Sequence, residues 1–425
     1  MPIGVLSSYF IKYIVEKYLK NKFVMKKIRL VVFNEPYWDK GLIYSQNILP
    51  LLQLVKTKEY ALDVVSFTSL PFLFKSRRDI QATKDELAEY GVNVMNFPVF
   101  FYPTRFMLLK YFLLPFYFLN VFFYIKYLNG KDEKDSTNIL YSIRSYQAAL
   151  GFLKFYKEKN RIIFDTRTDW IEENINVGNF KANSSTVSYW KNAEKEMLLK
   201  FKKTLFISDL FRDAVLKRHS IKLDENKYCL VYNPINYEHF HSVQNRDQDD
   251  NFLYTGSLGH WNNISIYLDF FLKVADKMPS SKLIVCTGSP IHKIEPTFNL
   301  PKYDAIRNRV GIHYSVPYSE LPSFYARCTY GLQLMSKKDT RVGVKFIEYI
   351  AANLIPIVNT NVMGAAALAR KYEIGIVLDD ETEEVDSIVN RLEQIKQNRN
   401  NSKLAEFRKI TDLNEFANIL KPIYS

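Results

Sequence analysis

Lys345-Phe346-Ile347-Glu348-Tyr349-Ile350-Ala351-Ala352-Asn353-Leu354-Ile355-Pro356-Ile357-Val358-Asn359-Thr360 joins a helical pattern to a short apolar run. On a helix, residues three apart are neighbours, so the Lys345 ammonium and the Glu348 carboxylate share one face. The run Ile355 to Val358 reads as a buried strand, and helices alternating with buried strands make a parallel sheet. The same spacing suits an ordinary surface pair worth roughly 0.2–0.5 kcal/mol. It also suits one ligand with two ends, Lys345 meeting phosphate oxygens while Glu348 accepts hydrogen bonds from a ribose diol.

Outward from this stretch, short β-branched or aromatic runs alternate with longer helical patterns, which predicts parallel sheets covered by helices on both faces. In the first half the expected strands are Ile28 to Phe33, Leu62 to Phe67, Val92 to Phe97, Asn138 to Ile143, Arg161 to Asp165, Thr204 to Ile207 and Tyr228 to Tyr232. The pattern restarts with Phe252 to Thr255, Leu283 to Thr287, Gly311 to Ser315, Gly331 to Leu334, Ile355 to Val358 and Gly375 to Leu378. The polar stretch 242–251 separates the two series and reads as an exposed linker. The expected division is a 1–24 extension or amphipathic helix, a first α/β domain over 25–243, a second over 251–405 and a helical segment over 406–425. Two doubly wound, Rossmann-like α/β domains facing a cleft are the predicted architecture, because such sheets bind ligands beyond their strand C-termini.

Composition narrows the class. The chain has 425 residues, 47% of them hydrophobic and 24% charged, which supports sizeable cores and excludes general disorder. A net charge of +13 points to phosphate, nucleic acid or an anionic membrane surface as partner. No recognition-helix or aromatic RNA-binding motif accompanies that charge, so nucleic acid is not expected. Cys229, Cys286 and Cys328 are far apart in or beside apolar segments, as buried reduced thiols are. His239 and His241 alternate as on a strand, with no Cys or carboxylate completing a metal set, so no metal is expected.

The start of the chain lacks the basic region and cleavage site of a secretory signal, so a cytoplasmic body is expected. Leu6, Phe10, Tyr13, Ile14 and Tyr18 recur at helical spacing with Lys12, Lys17 and Lys20 on a polar flank, as in an interfacial helix. Phe100 to Leu128 is strongly aromatic and punctuated by Arg105, Lys110 and Lys126. Its uncharged run of 15 residues, Tyr111 to Ile125, falls short of the about 20 that span a bilayer. An interfacial hairpin and a helix pair packed on the first sheet both fit it.

The opening stretch resembles the donor segment of GT-B glycosyltransferases, in particular the retaining family 4 type, with its Lys-x-x-Glu-Tyr-x-Ala-x-Gly-x-Pro pattern. Asn353 stands at that family's glycine, and Thr340 at the first of its two carboxylates, with Asp339 one position off. Tyr232 to Phe240 and Phe252 to Trp261 resemble the family's segments flanking the linker, and their order along the chain agrees. The resemblance implies donor contacts at Gly256, Ser257 and Gly259, whose turn exposes backbone N–H groups to a diphosphate. Ser257 occupies the family's arginine position, so positive charge is expected from Lys345 first and Arg341 second, with the helix start at Gly364 adding amide donors.

In the first half, Asp165, Arg167 and Asp169 follow an expected strand and resemble the Asp-x-Arg stretch of bacterial polysaccharide glycosyltransferases. There Asp165 or Asp169 would orient or deprotonate an acceptor hydroxyl, and Arg167 would hold an anion; a salt-bridged loop that only stabilises the fold is the competing reading. Taken together the resemblance implies sugar transfer from a nucleotide diphosphate sugar to a lipid-linked or growing bacterial surface glycan. It further implies retention, no metal, and a peripheral place on the cytoplasmic face of the inner membrane. A catalytically silent scaffold and a nucleotide-sugar epimerase are the alternatives.

Overall fold

A computed structural model describes residues 25–99, 107–134, 138–241, 250–259, 261–379 and 383–425. The expected helix within residues 1–24 and most of the expected linker, 242–249, lie outside them. The chain divides into two compact units: Met1–Asp165 with Ser185–Thr204 and Leu420–Ser425, and Thr166–Ser184 with Leu205–Ile419.

Among the described residues thirteen strands form where the apolar runs predict them, with ends that differ by a few residues. They are β1 (Lys26–Phe33), β2 (Tyr60–Ser69), β3 (Asn93–Val99), β4 (Ile139–Ile143), β5 (Ile162–Thr166), β6 (Lys203–Phe206), β7 (Tyr228–Leu230), β8 (Phe252–Thr255), β9 (Leu283–Thr287), β10 (Val310–Tyr314), β11 (Tyr330–Gln333), β12 (Ile355–Asn359) and β13 (Ile376–Leu378). One sheet has the order β3-β2-β1-β4-β5-β6-β7 and the other β10-β9-β8-β11-β12-β13. The register is parallel from β1 to both β2 and β4, and from β8 to both β9 and β11. Each sheet therefore reverses its winding once, at β1/β4 and at β8/β11, and ligands of doubly wound sheets bind beyond such points.

Burial follows from the runs. Every residue of β4, β5, β8 and β9 is buried, as strands covered on both faces require. The fully buried Arg29 of β1 is the exception in kind, and a lone buried cation would cost several kcal/mol. It is neutralised by Asp63 at 3.3 Å and by Asp132, while Tyr141 and Tyr156 donate to the second oxygen of Asp132 at 2.7 and 3.1 Å. Through Asp132 this network pins the end of the helix Met107–Lys134 to the first sheet.

Of the stretch 100–128, where a hairpin and a helix pair are both expected, residues 100–106 lie outside the described residues and 107–134 form one continuous helix. Val121, Ile125 and Leu128 are buried on one side, which is the packing alternative, yet Phe116, Leu119, Phe122, Phe123 and Tyr127 stay exposed. A helix that is apolar on both sides but covered on one leaves a face for another apolar phase. No helix among the described residues is long and apolar enough to cross a membrane. The His239 and His241 alternation also resolves differently, since both lie in the short helix Tyr237–His241 and His239 stacks on Tyr318 at 4.7 Å between ring centroids.

Candidate functional site

β8 ends at Thr255 and β11 at Gln333, so the reversal point of the second sheet is framed by the loop residues 256–259 and 261–262 and by the loop 334–343. Gly256 opens the first with φ +141°, a conformation L side chains rarely adopt, and a Cβ there would lie 3.5 Å from Lys345 Cε and 3.2 Å from the Tyr254 hydroxyl. The turn is braced from inside: Tyr254 donates to Ser257 O at 2.9 Å, and Ser289 accepts from Leu258 N at 2.7 Å. Ser257 and Gly259 themselves are exposed. The two loops meet where Ser336 N donates to Trp261 O at 2.8 Å, and Lys337 Nζ lies 6.0 Å from the Trp261 ring centroid.

Lys345 stands in the first turn of the helix Val344–Ala351, whose N-cap is Gly343. A cation at a helix N-terminus is unfavourable by roughly 0.3–1 kcal/mol, because it faces the positive end of the dipole. Glu348 offsets this, accepting from Lys345 Nζ at 2.8 Å. The carboxylate is buried and takes a second hydrogen bond on the same oxygen, Oε2, from the Tyr325 hydroxyl at 2.9 Å. Its Oε1 has no hydrogen bond among the described residues. Burial first, and Glu348 second, push the Tyr325 pKa well above its ordinary value, so that this hydroxyl remains a donor. Tyr325 also bonds Thr255 Oγ1 at 3.0 Å, and Tyr349 OH accepts from Thr255 N at 3.2 Å while donating to Leu332 O at 3.0 Å. The ends of β8 and β11 are thus locked to the helix that carries Lys345 and Glu348.

Arg341 is held differently from the expectation. Asp339 grips it through two hydrogen bonds of 2.9 and 2.8 Å, Thr168 accepts from it at 2.8 Å, and Glu173 pairs with it as well. Burial alone would lower its pKa, but the two carboxylates raise it, and they also spend its charge within the fold. Gly364 sits at the start of the helix Met363–Tyr372, where a Cβ would come within 2.5 Å of the Arg341 backbone. Its close approach is to the Thr340–Arg341 backbone, and Met363 N already donates to Asp339 O at 2.8 Å.

Of the first-half trio, Asp165 is buried at the end of β5 and accepts from Asn47 Nδ2 at 2.6 Å, within the first unit. Arg167 and Asp169 belong to the second unit. Arg167 reaches Val231 O and Asn233 Oδ1 at 3.4 Å. Asp169 caps the helix Trp170–Asn176 and pairs with Arg218. Tyr325, which holds Glu348, and Ser289, which holds Leu258 N, are contacts that the motifs alone do not mark.

Residues 236–411 match the model of the family described as glycosyl transferases group 1. Among solved structures, a glycosyltransferase from Rickettsia africae superposes with a TM-score of 0.61 at 12% identity, covering 94% of this chain and 97% of the other. Anabaena HepE in complex with UDP gives 0.61 at 11% identity, covering 94% and 99%. WaaG, a glycosyltransferase involved in lipopolysaccharide biosynthesis, gives 0.56 at 11% identity, also covering 94% and 99%. The comparison with curated proteins returned no match. Two doubly wound parallel sheets, each with one reversal point, define the class as the GT-B fold. Residues 236–411 are thus similar to glycosyl transferases group 1, and the whole chain shares the fold of these structures.

Proposed function

We propose that this protein is a glycosyltransferase that binds a nucleotide diphosphate sugar at the β8/β11 edge and moves the sugar to a hydroxyl of a lipid-linked or growing bacterial surface glycan, with retention and without a metal. The observation that carries the reading is the Lys345–Glu348 pair at the reversal point, facing a turn that only glycine allows at position 256. The diphosphate takes Lys345 from Glu348, and the carboxylate so released accepts from the ribose hydroxyls. HepE, of the same fold, was solved with UDP, and WaaG works in lipopolysaccharide synthesis, which supports donor and product class respectively. In the reaction the bond from the anomeric carbon to the diphosphate oxygen breaks, the acceptor oxygen bonds that carbon on the same face, and its proton passes to the departing diphosphate. Lys345 stabilises the charge that develops there.

A thermal-shift panel of UDP, GDP and their sugars tests the donor class, because a ligand selective for the native state raises stability by about 2.7 kcal/mol at a hundred times its Kd. One nucleotide diphosphate series is expected to raise the melting temperature, and no shift with either base contradicts the reading. Binding with neither hydrolysis nor transfer would make the protein a silent scaffold instead.

The acceptor's lipid places this enzyme on an anionic membrane surface. Phe72 and Phe74 are exposed beside the exposed Lys75, Arg77 and Arg78, and the uncovered face of the helix Met107–Lys134 carries Phe123 and Tyr127 next to Lys126. Aromatic side chains with flanking cations suit the headgroup boundary. The protein is expected to float with phosphatidylglycerol vesicles more than with phosphatidylcholine ones, and the double change Phe74→Ser with Phe123→Ser to reduce flotation several-fold. Equal flotation on both lipids argues against the electrostatic part.

A further inference from the structure

The reversal point of the first sheet is occupied by chemistry that the donor site does not use. β1 and β4 are neighbours whose connections leave in opposite directions, and the crevice beyond such a pair is where doubly wound sheets take ligands. Glu35 lies two residues past β1 and Arg144 one residue past β4. Their side chains meet, Arg144 Nε donating to Glu35 Oε2 at 3.2 Å.

The backbone fixes Glu35 from both sides. Asn34 before it has φ +50°, in the left-handed region, and its side-chain oxygen accepts from Ser69 N at 3.1 Å. Pro36 after it confines Glu35 to extended conformations. Behind the pair, Arg144 Nη1 donates to Gln46 Oε1 at 2.9 Å and Asn47 Oδ1 at 2.6 Å, and Asn47 passes a 2.6 Å hydrogen bond to Asp165. Gln46 and Asn47 are buried and come from a π-helical turn, Tyr44–Ile48, a geometry that appears mostly at functional sites.

A purely structural ion pair explains this poorly. The Glu35 side chain is 37% exposed, and a pair open to solvent contributes about 0–1 kcal/mol. Oε1 of Glu35 has no hydrogen bond among the described residues. Burial raises the Glu35 pKa, Arg144 opposes that, and Asp165 adds to it. A rigid carboxylate with one open oxygen is what a saccharide hydroxyl needs as acceptor.

We infer that Glu35 and Arg144 form the subsite for the acceptor saccharide: Glu35 Oε1 takes a hydrogen bond from a sugar hydroxyl, and Arg144 is the positioning residue that aims the carboxylate. This rests on the transferase reading above and assigns the acceptor end to residues outside the Asp165 to Asp169 stretch. The test is saturation-transfer NMR on the intact protein with methyl α-glucopyranoside, methyl β-galactopyranoside and methyl N-acetyl-β-glucosaminide, alongside UDP and GDP thermal shifts. At least one glycoside is expected to bind. Glu35→Ala should weaken it at least tenfold and Arg144→Lys by less, with an unchanged nucleotide diphosphate shift in both. Glycoside binding of wild-type strength in Glu35→Ala, or no binding to the wild type, overturns the assignment. Glycoside binding through Glu35 without a shift by either UDP or GDP would leave the subsite standing and sink the donor reading.

Discussion

Lys345→Ala is expected to lower kcat/KM for sugar transfer by about 10²–10³, the loss seen when one preorganised donor to a developing anion is removed. The reason is local. Arg341, the other cation that the motifs nominate, is already paired with Asp339 and Glu173, and Ser257 brings no charge to the glycine turn. Lys345 Nζ, half-buried and beside Gly256, is therefore the cation available at the β8/β11 edge from the residues that the motifs nominate. The variant should still fold, since Tyr325 continues to donate to Glu348 and the lost partner was partly exposed to water. Circular dichroism and melting beside the kinetics separate a lost cation from a lost fold. Lys345→Arg keeps the charge but not its placement and should recover only part of the rate.

Glu348→Gln is expected to weaken nucleotide binding roughly 10- to 100-fold, the worth of about 1.5–3 kcal/mol for hydrogen bonds to a charged group. The amide keeps the shape and one oxygen for Tyr325, so the change falls on the ribose and on the pairing with Lys345. Glu348→Ala is the harsher variant, because it strands the buried Tyr325 hydroxyl and leaves a hole in the helix face. Its nucleotide affinity, read by calorimetry, should fall below that of Glu348→Gln, and its melting temperature should fall as well. Unchanged affinity in both would remove Glu348 from the donor site.

The thirteen strands were legible because each is a short apolar run bounded by polar or glycine-containing loops, a signal that needs no tertiary information. The Lys345–Glu348 contact was legible for the same reason, since a spacing of three on a helix fixes it locally. What the sequence hides is non-local. Arg341 reads as a free cation until Glu173, 168 positions away, is folded against it. Gly364 reads as an approach to a ligand, whereas its missing side chain makes room for the Arg341 backbone. The histidine alternation points to a strand, yet tertiary contacts around Tyr318 and Phe240 select a helical turn. Glu35 gives no motif at all, because its meaning comes from strand order, which sets β1 beside β4.

Calorimetric titration of wild type, Lys345→Ala and Glu348→Gln with UDP and with uridine measures the central claim, that one nucleotide is gripped at its phosphates by Lys345 and at its ribose by Glu348. The account predicts that wild type prefers UDP to uridine by at least tenfold, that Lys345→Ala erases most of this preference without changing uridine affinity, and that Glu348→Gln weakens both ligands alike. Equal affinities for UDP across all three proteins would contradict it.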